Sequence, residues 1–232
     1  MCVRLIQANG MDLSLFQFDY RLTWAAFFMN ADRVIYGRYG TRADHKSQRG
    51  APESAQNVSL DGMKKALEAA LDLHKNYPAN KEMLAGNIGP APKYKAPEEF
   101  PSLAKKFKAT IEPNGRGCIH CHTVNSAQAK FNPKDDRWLF PYPMPETIGL
   151  ALDRKERAKI KSVLANSQAE KDGFRAGDEL LTLRGQPLLS IADVQWVLHN
   201  AKDSGILDAV VLRDGAKVDL RLQLQAGWRK LK

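Results

Sequence analysis

The chain has 232 residues, 44% hydrophobic and 26% charged, a balance that excludes a collagen-like, low-complexity or wholly disordered protein. Its net charge of +9 is densest over 101–145, yet with no long Lys/Arg block and no basic amphipathic helix. That pattern argues against a nucleic-acid surface and fits an acidic protein partner better. The apolar run at 24–29 is far shorter than the roughly 20 residues a membrane helix needs, so no membrane span is expected and the chain reads as soluble.

Residues 2–7, Cys-Val-Arg-Leu-Ile-Gln, read as a buried strand closed by the turn signal Asn9-Gly10. Two further runs, 22–29 and 33–39, flank Asn30-Ala-Asp32 and predict an antiparallel hairpin. A polar loop follows over 41–57. Met63, Leu67, Ala70, Leu71 and His74 fall at helical spacing, and Pro78 ends that run. Residues 79–101 change character, because Pro90, Pro92, Pro97 and Pro101 with Gly86 and Gly89 mark an irregular linker. A short helix over 102–111 leads into a Gly-rich turn at 113–117. Beyond it Pro133, Pro141, Pro143 and Pro145 again predict irregular chain. From Thr147 the sequence becomes strand-rich, with one helix over 193–200. The expected fold class is therefore α+β and multidomain, divided at 1–78, 79–145 and 146–232.

Of the three cysteines, Cys2 stands alone, while Cys118 and Cys121 share the run Cys118-Ile-His-Cys121-His122. This odd count in a chain of this length is no disulfide framework. C-x-x-C-H is the attachment signature of c-type haem. Two cysteines three apart lie on one side of a helical turn and bond to one porphyrin, and the adjacent imidazole meets the iron. Two other readings stay open, a bare dithiol and half of a zinc site. Zinc would want a second Cys/His pair nearby, whereas His45, His74 and His199 are scattered. A dithiol motif usually opens a helix after a strand, and here a helix and a turn precede it.

The surroundings of Cys118, Cys121 and His122 resemble cytochrome c attachment sites. Met144, in Pro143-Met-Pro145, resembles the axial loop of that family and is expected as the sixth iron ligand; its plainer role is a loop or core methionine. The resemblance implies haem c as cofactor and a protein that transfers electrons or senses redox state, with a redox partner. Because haem c matures after export, it also implies a periplasmic location.

Ile148-Gly149-Leu150-Ala151, the run Ser167-Gln-Ala-Glu-Lys-Asp-Gly173, Ala176-Gly-Asp-Glu-Leu-Leu181 and Arg213-Asp-Gly215 resemble, in order, the motifs of protease-type bacterial PDZ domains. The resemblance implies that Ile148, Gly149, Leu150 and Ala151 form a loop whose N–H groups receive a peptide carboxylate. The peptide would add as a strand, with Val194 and Leu198 facing it from the groove helix. No Ser/His/Asp protease segment accompanies these motifs.

Residues 27–40 and 63–76 resemble the closing hairpin and last helix of a thioredoxin fold. The redox helix of that fold is missing, and Leu22-Thr23 stands where the family has a cis-proline. Thioredoxin-like, C-x-x-C-H and PDZ segments in this order resemble thioredoxin-like/PDZ (seleno)proteins of environmental bacteria. Opening on a core strand, the chain is expected to continue a longer polypeptide, with Cys2 as a buried structural thiol. Two alternatives stand beside the haem reading: an interaction adaptor that binds peptides without haem, and a thiol–disulfide oxidoreductase whose active motif lies upstream.

Overall fold

The computed structural model describes residues 1–22, 24–41, 58–106, 118–131 and 142–229. His45, the polar loop beyond Thr41, the 113–117 turn, Pro133 and Pro141 lie outside those residues. The elements begin with strands β1 (Ala26–Met29) and β2 (Ile35–Tyr39) and helices α1 (Leu60–Lys75) and α2 (Lys81–Leu84). Helices α3 (Pro101–Lys106) and α4 (Cys121–Phe131) follow, then β3 (Leu150–Leu152), β4 (Ile160–Val163) and α5 (Gln168–Lys171). The chain closes with β5 (Glu179–Leu183), β6 (Gln186–Pro187), α6 (Ile191–His199), β7 (Gly205–Arg213) and β8 (Ala216–Leu224). The class is α+β.

Two compact units form, one from 1–23 with 88–141 and the other from 24–87 with 142–232. They cut across the three consecutive segments read from the sequence. The hairpin and α1 fold with the C-terminal segment, because their buried faces meet residues there rather than the first 22.

The first unit is held by Ala8, Met11, Leu13, Tyr20, Phe100, Leu103, Ile119, Val124 and Ala127. Ala8 N–H donates to the Ile119 carbonyl at 2.7 Å, and the Asn9 side chain accepts from Ile119 N–H at 2.7 Å. The strand expected over 2–7 is not formed. Val3, Leu5 and Ile6 are 66%, 58% and 76% exposed, since among the described residues no strand lies beside them to take up their N–H and C=O groups. Cys2 is exposed as well, not a buried thiol.

In the second unit β1 and β2 pair antiparallel, as predicted, with a register shift at Phe28/Met29. Helix α1 starts where Ser59 accepts from Gly62 N–H at 2.9 Å, an ordinary N-cap. Of the residues at helical spacing, the structure buries Ala70, with Ala66 and Ala69, against Tyr36 and Tyr39 and leaves Leu67 and Leu71 44% and 51% exposed. Small alanines let the helix approach the two rings closely. The Tyr36 hydroxyl then meets His74 Nδ1 at 2.7 Å.

The C-terminal part carries a four-stranded antiparallel sheet in the order β6-β5-β7-β8 and a separate pair β3–β4. Strands β7 and β8 turn through Asp214 and Gly215, both at positive φ, the backbone that two-residue hairpins need. Arg213 grips the buried Asp178 carboxylate with two nitrogens, at 2.7 and 2.8 Å. That contact holds the Asp178 carboxyl below its ordinary range even though burial opposes it. Leu150, Ile160, Phe174, Leu180, Leu183, Val194, Leu198, Val211, Leu222 and Leu224 fill the core.

Candidate functional site

Among the described residues, strand β3 pairs with β4 alone, along one edge. The Gly149 carbonyl accepts from Leu164 N–H at 2.8 Å, and Asp153 N–H donates to the Lys159 carbonyl at 2.9 Å. Peptide groups alternate along an antiparallel ladder. Gly149, Ala151 and Asp153 therefore turn theirs toward β4, while Leu150 and Leu152 turn theirs to the opposite edge. Among the described residues no strand pairs with that edge. It is a template for one more strand.

A 3-10 turn, Pro145–Ile148, leads into the strand and ends at Gly149 with φ 90°. A Cβ there would sit 2.2 Å from both Cβ and Oγ of Ser167, so only glycine fits. The turn is internally bonded: Thr147 N–H reaches the Met144 carbonyl at 2.9 Å and Gly149 N–H the Glu146 carbonyl at 3.0 Å. This differs from a cradle of free amides. Leu150 N–H, which the ladder directs to the open edge, is the loop donor left facing that side.

The two helix residues offered as ligand-facing are core. Val194 and Leu198 are 0% exposed and pack with Ile148 and Leu150. Every residue of α6 from Ile191 to Leu198 is buried, because other segments cover its remaining faces. Tyr142 stacks on His199 with ring centroids 4.1 Å apart. Gln195 Nε2 donates to the Tyr142 carbonyl at 3.0 Å and meets Met144 Sδ at 2.9 Å. On another face β2 comes close: Asp193 accepts from Arg38 N–H at 2.9 Å and from Leu189 N–H at 3.0 Å. Ser190 caps the helix through Ala192 N–H and donates its hydroxyl to the Arg38 carbonyl at 2.6 Å. The Arg38 guanidinium lies 3.9 Å from the Trp196 ring centroid and donates to the Asn87 carbonyl. Burial pushes the Asp193 carboxyl up to about 7 despite these donors.

Sequence reasoning missed Arg38, Asn87 and Ser190. One signal was available. Gly37 inside a strand marks a close backbone approach, and a Cβ there would lie 2.9 Å from Asp193 Oδ2 and from a Leu189 methyl.

Cys121 and His122 open α4 in the first unit, and Cys118 lies three residues before it. Buried Ile119 anchors the run, leaving Cys118, His120 and His122 exposed and Cys121 half-buried. Cys118 Sγ meets Gln7 Oε1 at 3.1 Å, and both cysteines are free thiols. Burial raises the Cys121 thiol pKa, which works against the thiolate that disulfide exchange needs. Among the described residues no group of three His, Cys, Asp or Glu side chains is placed to hold a metal ion. Met144 belongs to the other unit, where its sulfur accepts from Gln195 and, at 3.9 Å, from Thr41 Oγ1. Those contacts fit its plainer role in packing.

No protein-family model matches the chain. A stretch of 83 residues is 32% identical to a probable periplasmic serine endoprotease DegP-like of Pseudomonas savastanoi pv. phaseolicola, covering 36% of this chain and 17% of that protein. Another of 76 residues is 34% identical to the periplasmic serine endoprotease DegP of Escherichia coli (strain K12), covering 33% and 16%. The serine endoprotease from Yersinia pestis aligns at TM-score 0.35 and 17% identity, over 47% of this chain and 36% of that one. The HtrA-type protease AlgWS227A with decapeptide aligns at TM-score 0.28 and 24% identity, over 29% and 20%. The chain spans about one sixth of the length of the curated relatives it matches.

These relatives are DegP/HtrA-type proteases, in agreement with a PDZ segment of the protease type. They lend no support to a thioredoxin-like or cytochrome c-type part. They overturn the expectation of a haem-based electron-transfer or redox-sensing protein, and the redox partner falls with it. No helix among the described residues is long and apolar enough to cross a membrane.

Proposed function

We propose that the second unit is an interaction module that binds the C-terminal end of a polypeptide by adding it as a strand along β3. The observation that carries this is the open edge of β3, with the peptide groups of Leu150 and Leu152 turned outward beside the Gly149 turn. Main-chain bonds to Leu150 and Leu152 supply affinity without sequence preference. Buried Ile148, Leu150, Val194 and Leu198 form the apolar layer beneath the edge. The matched DegP-type proteins support the reading, and their periplasmic names support an extracytoplasmic setting for it. Their protease activity is not carried over, because the matched stretch is about one sixth of their length.

The whole chain is expected to bind short peptides with an apolar last residue and a free carboxylate about tenfold more tightly than the same peptides amidated, a difference of about 1.4 kcal/mol. Fluorescence anisotropy with labelled peptide pairs reads this directly. Equal binding of acid and amide would remove the C-terminal specificity.

Cys118, Cys121 and His122 are a separate proposed site, for covalent attachment of haem c. The exposed Cys118 just before α4, the exposed His122 in its first turn, and the free thiol of Cys121 three residues from Cys118 suit that chemistry. Such a haem would bring an iron centre to this surface, held by thioether bonds to the two cysteines with the His122 imidazole as its ligand. No electron-transfer role comes with it. In protein from a host that matures haem c, mass spectrometry of the peptide spanning 118–122 is expected to show the haem adduct. An unmodified peptide removes the site.

A further inference from the structure

We infer that the peptide end taken up by β3 is acidic a few residues upstream of its C-terminus, and that Arg154 and Lys155 select it. This rests on the strand-addition reading above. A strand antiparallel to β3, with its end at the Gly149 turn, runs alongside Leu150, then Leu152, then the residues that follow. Residues opposite one another advance together at about 3.4 Å each. The fourth to sixth residues from the peptide's end therefore draw level with Arg154 and Lys155, where β3 gives way to the turn toward β4.

The charge at that turn is one-sided. Arg154 and Lys155 are exposed, and Lys159 and Lys161 continue the basic run onto β4. Acidic groups face the same region too, Asp61 near Lys65 among them. Glu156 is paired with Lys65 and Glu179 with Arg157, while Asp153 accepts from the backbone N–H of Lys155 at 2.9 Å. With Lys65 and Arg157 paired to Glu156 and Glu179, the exposed Arg154, Lys155, Lys159 and Lys161 outnumber Asp153 and the nearby Asp61, so the local field favours an anionic segment.

The turn is also fixed in place. The Arg154 carbonyl accepts from Ser59 Oγ at 2.8 Å. At Gly62, in the first turn of α1, a Cβ would come within 2.3 Å of that carbonyl oxygen. The N-terminus of α1 thus holds the backbone from which Arg154 projects, which gives the hairpin-and-helix portion a part in recognition. Two salt-exposed charge pairs of this kind are worth about three- to tenfold in affinity.

The test uses the whole chain and two free-acid peptides with the same last three apolar residues. One carries Glu at the fourth to sixth positions from its end, the other Ser. The Glu peptide is expected to bind about three- to tenfold more tightly at low salt, with the advantage largely gone near ~0.5 M salt. Arg154→Gln with Lys155→Gln should abolish that advantage and leave both the Ser peptide's affinity and the melting temperature unchanged. If the Ser peptide binds as tightly as the Glu peptide, or the double variant keeps the preference, the selection by Arg154 and Lys155 is wrong while strand addition stands. If neither free-acid peptide binds better than its amide, C-terminal recognition itself fails, and this inference with it.

Discussion

Asp193→Ala is expected to lower the unfolding free energy by about 2–6 kcal/mol, because two buried backbone donors lose their acceptor. Its two carboxylate oxygens accept separate backbone N–H groups, from Arg38 on β2 and Leu189 before α6. The side chain itself is 0% exposed. Alanine would leave both donors buried without that acceptor, at about 1–3 kcal/mol each, and strand from helix at the seam Gly37 makes so tight. Asp193→Asn is the informative companion. It keeps one acceptor but turns an NH2 toward one of the two N–H donors, so a smaller yet clear loss is expected. Urea unfolding followed by tryptophan fluorescence measures both, since Trp196 lies beside Arg38. A cost below about 1 kcal/mol for the alanine variant would show that the seam contributes little to stability.

The same residue sets a pH slope, and its sign follows from the direction of its shift. Unfolded Asp ionises near pH ~3.9, whereas in the fold burial raises Asp193 to about 7. Between those values the folded protein holds a proton that the unfolded chain has released. This contribution therefore falls as pH rises from about 4 to 7, by about 1.4 kcal/mol per pH unit within that window, and is flat above it. Asp193→Asn should remove the slope.

The hairpin, α1 and α6 were legible in the sequence because each rests on local signals. Asn30 to Asp32 break two apolar runs, Ser59 caps a helix, and Pro78 follows its end. The α1 face was only partly legible because hydrophobicity singles out Leu67 and Leu71 beside Ala70, whereas packing against Tyr36 and Tyr39 rewards Ala70 with the equally small Ala66 and Ala69. The strand at 2–7 failed for a related reason: an apolar run does not reveal whether a partner strand exists. Val194 and Leu198 have the spacing of a face, and spacing alone cannot distinguish a ligand from a core on the other side. The Arg38–Asp193 seam joins residues 155 positions apart, beyond any local pattern. The PDZ-like motifs stood out in the sequence because several fixed-order elements, from Ile148-Gly149 to Arg213-Asp-Gly215, constrain one another.

Gly149→Ala is expected to cost about 2–4 kcal/mol and to abolish binding of C-terminal peptides. Two separate penalties combine there. The residue has φ 90°, a backbone state that costs an L-residue about 1 kcal/mol or more. The new methyl would also fall 2.2 Å from Ser167 Cβ and Oγ. Ser167 cannot simply swing aside: its Cβ is fixed to the backbone, and its hydroxyl accepts from Glu170 N–H at 3.2 Å as the cap of α5. Relief must therefore come from the loop. That would disturb the Gly149–Leu164 bond beginning the β3–β4 ladder and with it the aim of Leu150 N–H. A second variant separates the penalties. Ser167→Gly removes the obstructing atoms at a cost of a few tenths of a kcal/mol for the cap. In that background Gly149→Ala should cost only about 1 kcal/mol, the backbone part, so the two changes should couple by at least about 1 kcal/mol. If Gly149→Ala costs the same with serine or glycine at 167, the crowding is not what demands glycine. Peptide affinity in the double variant then decides between loop and contact: recovery with the contact gone, despite strained φ, would trace binding to the position of Leu150 N–H rather than to Gly149 itself.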